Sequence, residues 1–529
     1  MSSSHSYIPL LAAGVFGGLL WYVISSGRRM KLPPGPKRLP VIGNAHQVPT
    51  ETPWRAFSEW GKKYGDIMHI DIVGKPIVII NSEKIARDLL VKRATIYSDR
   101  PHFVMAGELV GYSAPFAMQS YNDNWRRQRR LISHDFAQNN TPRYHGLQEK
   151  GSPNPCPERS RESGIARLSS QIARLTNCTF ISLVSRRLSR RIGIIIFRVT
   201  YGYYLQSEND PILTTPLEAM DNFSYSTTPG NFLVDFIPIL KYLPRWVPGS
   251  GFLATAERWR KLFYDSTYRP YNWCKKNLET GQTLLPNLCA TILQNPTHQL
   301  SEDEETKLIW AASSVLGGGL DTNMSSALTF YLAMILNPSI QEKAHAEIEA
   351  VVGKDRLPTI NDRPNLPYIR SIITEVLRSS PAIPLCLPHC ASQDDIYNGL
   401  LIPKGSMIMP NIWHMLHDPE AYPNPMEFYP ERFNNLDSEM DKVKDLVFGF
   451  GRRVCPGMHF AEGTLFAIVS TTLATCKILP GLDANGKEKI PEFEFTSGTI
   501  IFPKPFTLRL KARSTEALGL LAEVSTAVE

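Results

Sequence analysis

Hydrophobic and polar positions sort this chain into a few legible stretches. Between Asp66 and Asn81 (DIMHIDIVGKPIVIIN) β-branched residues flank a central Gly-Lys-Pro, which predicts a β-hairpin. From Ser301 to about Leu336 the pattern predicts one very long helix. Ser301 with Glu304 three residues on makes a capping box at its start, and Asn337-Pro338 stops it. Further helices are predicted over Ile340–Val352, ended by Gly353, and over Tyr368–Ser379, which runs into a proline-rich stretch from Pro381 to Pro388. Asn398–Met409 reads as a second hairpin, and Gly457 to about Ile478 as an apolar helix. The expected class is mainly α with small β-sheets. Neither a GxGxxG nor a Walker loop points to a nucleotide fold.

The N-terminal pattern is of another kind. Tyr7–Ile24 is a nearly uncharged apolar run of 18 residues, close to the roughly 20 that span a bilayer. Arg28, Arg29 and Lys31 follow it, and no Lys, Arg, Asp or Glu precedes it. A cleaved signal peptide would carry its basic cluster on the other side. The expectation is therefore a retained single-pass N-terminal membrane helix in residues 1–30, with the body in the cytosol. Leu32-Pro33-Pro34-Gly35-Pro36 cannot continue that helix and predicts a rigid hinge.

Composition narrows the classes. The 529 residues are 43% hydrophobic and 20% charged, near the globular average, which excludes wholesale disorder. The net charge of +7 is local. Between Glu162 and Glu208 there is no acidic residue but seven arginines, so bulk charge gives no support for a nucleic-acid partner. The eight cysteines form no CxxC pair, which suits a reducing compartment. Cys386 and Cys390 flank His389, but these three do not complete a structural zinc shell.

The sharpest chemical signal is Phe448-Gly449-Phe450-Gly451-Arg452-Arg453-Val454-Cys455-Pro456-Gly457. Glycines on both sides of the cysteine let the backbone turn tightly beside something flat and bulky. Cys455 falls just before an apolar helix, where the macrodipole and nearby Arg453 would favour a thiolate. A nucleophile, a soft metal ligand and a plain buried cysteine all fit these residues. Trp125 and Arg129, at i and i+4, share one face of a helix that is otherwise a solvated basic segment. Three glycines, Gly317 to Gly319, inside the long helix each cost about 1 kcal/mol relative to Ala, so something must approach that backbone closely. Thr322 can bond back to the carbonyl of Gly318, and Asp321 beside it makes an acid–alcohol pair. Glu375 and Arg378, at i and i+3, could be no more than a surface ion pair.

The cysteine loop resembles the haem-binding loop of the haem-thiolate monooxygenases, the cytochrome P450 superfamily, at Phe448, Gly451, Arg453, Cys455 and Gly457. Three more motifs follow the family order: Glu375-Val376-Leu377-Arg378, Pro430-Glu431-Arg432-Phe433, and Gly318-Gly319-Leu320-Asp321-Thr322. The resemblance covers about residues 30–137 and 195–510. It is nearest to fungal microsomal members of secondary metabolism, similar to O-methylsterigmatocystin oxidoreductase.

The resemblance implies a P450 fold over residues 31–529 and haem b held with Cys455 as the axial iron ligand. Arg453, Trp125, Arg129 and His389 would contact the propionates, and Phe448 would belong to the same loop. Asp321 and Thr322 would relay protons, although Asn323 stands where the family commonly has Thr or Ser. Glu375, Arg378 and Arg432 would form a structural network. NADPH electrons would arrive through a separate NADPH–cytochrome P450 reductase, for which Arg126, Arg127 and Arg130 could provide a docking face. The implied location is the endoplasmic reticulum membrane, with the catalytic body cytosolic. Substrate contacts are expected from Phe103–Phe116, Ala311–Leu316, Ala382–Leu387 and Ser497–Ile501, mostly apolar, so a lipophilic terpenoid or polyketide-like substrate follows. The alternatives are a peroxide-rearranging member needing no reductase, against which Asp321-Thr322 argues, and a non-catalytic or misassembled haem protein.

Residues 138–192 keep the last alternative open. Three prolines fall between Pro153 and Pro157, and an Arg- and Ser-rich stretch without sustained amphipathic period follows. A basic docking loop, a surface insertion, and a locally wrong translation are the three readings, and the last is favoured. All three predict few core contacts between Gly151 and Ser185, with the next helix starting near Arg191.

Overall fold

The computed structural model describes residues 30–150, 181–207, 209–281, 286–295 and 299–526. The expected anchor in residues 1–30 lies almost wholly outside them. Among the described residues no helix is long and apolar enough to cross a membrane. The described chain is mainly helical with three small sheets, as expected.

The helices that position the site are, in chain order, α1 (Pro53–Tyr64), α2 (Asp123–Ser133), α3 (Ile181–Tyr201), α4 (Pro211–Thr227), α5 (Gly251–Glu279), α6 (Glu302–Leu336), α7 (Pro338–Val351), α8 (Pro367–Ser379) and α9 (Met458–Thr475). Helix α6 is the axis of the molecule. It begins with the expected capping box, Ser301 with Glu304, and ends at Asn337. Most of its residues from Lys307 to Ile335 are buried, because α2, α3, α4, α5, α8 and α9 all pack on it. An element covered on every side needs no polar stripe, which is why its sequence is apolar all round.

Strands β1 (Ile67–Ile72) and β2 (Lys75–Ile80) form the predicted hairpin. Its turn is Val73-Gly74, both at positive φ, so Lys75 and Pro76 belong to the strand rather than to the turn. The second expected hairpin is split. Strands β4 (Asp395–Tyr397) and β5 (Leu400–Ile402) pair across Asn398-Gly399, both left-handed, while β6 (Met407–Pro410) leaves to run parallel to β2. Strand β3 (His389–Cys390) then pairs antiparallel with β6, giving the sheet order β1-β2-β6-β3. The apolar stretch from Gly457 also divides: α9 ends at Thr475, and Cys476–Leu482 is strand β7, paired with β8 (Glu488–Lys489) and β9 (Leu508–Ala512).

The irregular assignment of 138–192 needs correction at both edges. Thr141–Lys150 forms helical turns, and Gln148 is buried, its amide donating to the Phe460 carbonyl and Thr464 Oγ1. Helix α3 begins at Ile181, not near Arg191, and Leu188 and Ile192 are core residues. Residues 151–180 lie outside the described residues, so the expectation there stands as made.

Glu375 and Arg378 are both fully buried on α8. Arg378 donates to both carboxylate oxygens of Glu375 at 2.7 and 2.9 Å, and Arg432 Nε donates to Oε1 at 3.1 Å. Remaining donors of the two arginines go to the carbonyls of Leu416, Pro423 and Glu427. Removing one partner would strand a buried charge, so this network holds the fold rather than doing chemistry.

Candidate active site: a half-buried thiol, a cation cradle and an apolar cavity

The cysteine loop is shaped by its glycines. Gly449 and Gly451 take φ of +84° and +55°, and a Cβ at Gly451 would stand 2.3 Å from the Leu90 carbonyl oxygen. No other residue fits both constraints. The Cys455 N–H donates to the Phe448 carbonyl at 2.8 Å, which closes the loop. Phe448 itself packs its ring on the core.

Cys455 is not electrostatically primed as expected. Burial pushes its thiol up, and the Gly457 N–H and Arg129 offset this only in part. Helix α9 starts at Met458, so Cys455 stands outside its first turn. Arg453 is turned away, its Nε, Nη1 and Nη2 donating to the carbonyls of Ser98, Phe116 and Gln119. A thiol held protonated by burial is a poor free nucleophile. A coordinating metal ion would deprotonate such a thiol, so burial does not bar Cys455 from serving as a ligand.

Around this loop the structure gathers the predicted cofactor residues. Helix α2 is capped by Asn122, whose side chain accepts the Trp125 N–H, and its inward face carries Trp125 and Arg129. Arg129 Nη2 donates to the Val454 carbonyl at 2.6 Å, tying α2 to the residue before Cys455. The Arg453 guanidinium lies 4.7 Å from the Trp125 ring centroid. Arg126, Arg127 and Arg130 face solvent.

Sequence reasoning missed Arg100. It is buried, and its Nη1 donates to the carbonyls of Leu387 and Pro388 at 2.7 and 2.8 Å. Nothing in the Ser98–Pro101 stretch signals this, because its partners lie far away in the chain.

Three guanidinium groups, buried at Arg100 and Arg453 and half-buried at Arg129, therefore stand close, bonded to neutral carbonyls. Burial, then repulsion from Arg100, pushes Arg453 down to about 8, and burial brings Arg100 down to about 10. Of the acidic groups, Asp99 alone is felt by Arg453, and its carboxylate already accepts the Tyr121 N–H. Trp125 Nε1 is buried without a partner. Excess positive charge and an orphaned donor beside a thiol fit a planar group that carries carboxylates and a metal, as haem does.

His389 fits on one condition. Its Nδ1 faces the Tyr97 carbonyl at 2.8 Å, so Nδ1 carries the proton, and burial pushes its pKa down to about 3. Neutral, its Nε2 can only accept. It becomes a donor to a carboxylate when that anion brings a second proton onto the ring.

On the other flank lies a cavity of about 100 Å³. All four expected segments contribute, through Tyr112 and Pro115, Ser313, Ser314 and Leu316, Ile383 and Leu387, and Ile500. Pro216, Ala219, Met220 and Phe223 of α4, and Phe263 and Ser266 of α5, were not anticipated. No charged side chain lines it.

The three glycines of α6 divide the work. A Cβ on Gly317 would meet Met220 Sδ at 2.8 Å and one on Gly319 would meet Ile196 Cδ1 at 2.7 Å, whereas Gly318 opens on the cavity. Thr322 Oγ1 donates to the Gly318 carbonyl at 2.7 Å, as predicted, and Thr322 also lines the cavity. Asp321 is buried. Burial and, after it, Asp221 raise its pKa to about 8, so at neutral pH it is a protonated acid next to a hydroxyl. Asn323, the departure from the family pattern, donates to the Gly319 carbonyl and keeps a buried, unpaired Oδ1.

Such a half-buried cysteine loop, cation cradle and uncharged cavity along one helix define a haem-thiolate enzyme. The Cytochrome P450 family model matches residues 33–509. Cytochrome P450 monooxygenase 105 of Postia placenta is 49% identical over 96% of this chain and 94% of its own length. Cytochrome P450 monooxygenase 226 of the same fungus is 44% identical over 100% and 97%. Cytochrome P450 monooxygenase claR of Ampulloclitocybe clavipes is 36% identical over 93% and 89%. The chain belongs to the cytochrome P450 monooxygenase family.

Proposed function

We propose that this chain places one atom of O2 into a lipophilic small molecule of fungal secondary metabolism, the other atom leaving as water. Two electrons would come from NADPH through a separate reductase, for which exposed Arg126, Arg127 and Arg130 offer a basic surface. When bound at Cys455, haem supplies the oxygen activation, which thiolate ligation promotes. Arg100, Arg129, Arg453 and the Trp125 indole would hold its carboxylates.

One observation carries the reading: Asp321, a buried acid whose pKa is raised to about 8, immediately precedes Thr322, whose side chain lines an uncharged cavity. Asp321 holds a proton at neutral pH, and Thr322 can pass one on while its own bond to the Gly318 carbonyl reforms. The apolar cavity excludes water that would deliver protons without control. Thr322→Ala should keep the haem and consume NADPH, with several-fold less product per NADPH and correspondingly more hydrogen peroxide. Unchanged product per NADPH would move the relay elsewhere.

The endoplasmic reticulum is the proposed site, with the body in the cytosol. The Tyr7–Ile24 run and the basic residues after it support this. Val41, Ile239 and Trp246, largely exposed on the body, would add a weaker lipid contact. Removing residues 1–30 should therefore release the protein from membranes only in part. Retention resistant to carbonate washing would contradict the anchor.

A further inference from the structure

The cavity has polar groups at two levels, and they do different things. At one level stands Thr322. Two helical turns towards the N-terminus of α6, about 12 Å along its axis, Ser313 and Ser314 face the same space, joined by Ser266 of α5. The two helices are tied at this level by a 2.9 Å hydrogen bond between Thr267 Oγ1 and Ser313 Oγ.

The protons of these hydroxyls can be followed one by one. Ser266 donates to the Phe263 carbonyl at 2.7 Å, and Ser314 to the Trp310 carbonyl at 3.0 Å. Each then has oxygen lone pairs left for a ligand but no proton. Thr267 and Ser313 share one mutual bond, and when Thr267 donates it the Ser313 proton remains to be given to the cavity. The serine level thus offers two acceptors and one donor. A ligand hydroxyl can make two bonds here, giving its one proton to a serine oxygen and accepting the one proton on offer. A carboxylate does not fit, since no cation lines the cavity and its desolvation would go uncompensated. A hydrocarbon would leave the set unused.

Resting on the monooxygenase reading, we propose that the substrate is a neutral alcohol whose hydroxyl docks at Ser266, Ser313 and Ser314. The oxidised carbon would then lie about 12 Å away, beside Gly318 and Thr322. The serines are specificity residues, not catalytic ones. They fix which end of an apolar skeleton reaches the Thr322 level.

The test uses the purified full-length holoenzyme and three probes of equal chain length: dodecane, lauryl alcohol and laurate. Equilibrium dialysis of labelled probe reads the cavity, and the reduced-CO spectrum reads the haem separately. Lauryl alcohol should bind about tenfold more tightly than dodecane, as two good hydrogen bonds imply, and laurate more weakly than either. The double variant Ser266→Ala/Ser314→Ala should abolish the preference for the alcohol and leave dodecane binding unchanged. Both hydroxyls bond only their own helix, so the fold should survive, and intact dodecane binding would prove it. Equal binding of alcohol and alkane by the unaltered enzyme, or a preference that survives the double variant, would overturn the proposal. If the alcohol preference stands but the thiolate-type CO band is missing, the hydroxyl site is supported and the oxidation reading fails instead.

Discussion

The two flanks of this molecule treat polarity in opposite ways. On the cradle side two buried guanidinium groups, a half-buried third and a buried indole N–H have carbonyl partners or none, and positive charge is in excess. On the cavity side no charge is present, and the hydroxyls of Tyr112, Ser266, Ser314 and Thr322 donate to nearby carbonyls. The cradle is unfavourable until an anion arrives, whereas the cavity holds no charge that needs a counterion. A protein keeps the first condition only where a permanent partner fills it. The second suits a partner that comes and goes. The flanks share a wall: Arg100 reaches the carbonyls of Ala117 and Leu387, whose side chains line the cavity, and Arg453 reaches that of Phe116. Filling the cradle should therefore also settle the cavity wall.

The largest effect tests which flank holds the iron. Cys455→Ala should eliminate the thiolate-type CO band, while Cys476→Ala, buried at the start of β7, should keep it. A band unchanged in the first variant would remove the basis of the whole assignment.

Next comes the orphaned donor. Trp125 Nε1 has no partner in the protein, so Trp125→Phe deprives the apoprotein of no hydrogen bond. A bond to a carboxylate is worth about 1.5–3 kcal/mol, so haem should leave this variant at least tenfold faster. Haem transfer to an acceptor protein measures this. Identical loss rates, or an apoprotein destabilised to the same extent, would place Trp125 in the core instead.

How much of this was legible follows from where each partner lies. The glycine-bounded turn at Cys455, the α6 capping box and the bond from Thr322 back to the Gly318 carbonyl are written in residues a few positions apart, and the structure places these as read. Cys455 nevertheless lacks the expected thiolate-favouring setting. The hairpin over Asp395–Ile402 is local as well, but β6 is drawn away by β2, more than 300 residues earlier in the chain. Arg100 was invisible because its ligands are distant carbonyls. The start of α3 was hidden by its arginines and serines, although Leu188, Ile192, Ile195 and Val199 follow helical spacing and are buried. Residues 151–180 remain a sequence question. Sequencing the cDNA settles whether that stretch is translated as written.

The pH dependence of coupling separates the flanks more gently. Asp321 titrates near about 8, so product per NADPH should hold from pH 6 to 7 and fall as pH rises through that value. Asp221→Asn removes the second cause of the raised pKa, so the fall should begin at lower pH. Stability carries the same sign. The folded state keeps a proton that the unfolded chain releases above 3.8, so on this group alone stability falls as pH rises towards 8 and then levels. Asp321→Asn should remove that slope from a series of denaturation midpoints. A coupling profile flat to pH 9 would show that Asp321 does not supply the proton.

The smallest contrast sits within three residues of α6. Gly319→Ala puts a methyl group 2.7 Å from Ile196 Cδ1 in a packed core, and overpacking of this kind costs about 1–3 kcal/mol. Gly318→Ala meets nothing within 4 Å and, by helix propensity, should add up to about 1 kcal/mol of stability. The added methyl group projects into the cavity at the Thr322 level, so the same variant should weaken the binding of bulky ligands while the CO band stays intact. Denaturation midpoints and probe binding, measured side by side, check both halves. If Gly318→Ala lost stability like Gly319→Ala, the backbone there would be pressed by a neighbour and not open to a ligand. The contrast between a packed flank and a vacant cavity would then fail at its closest point.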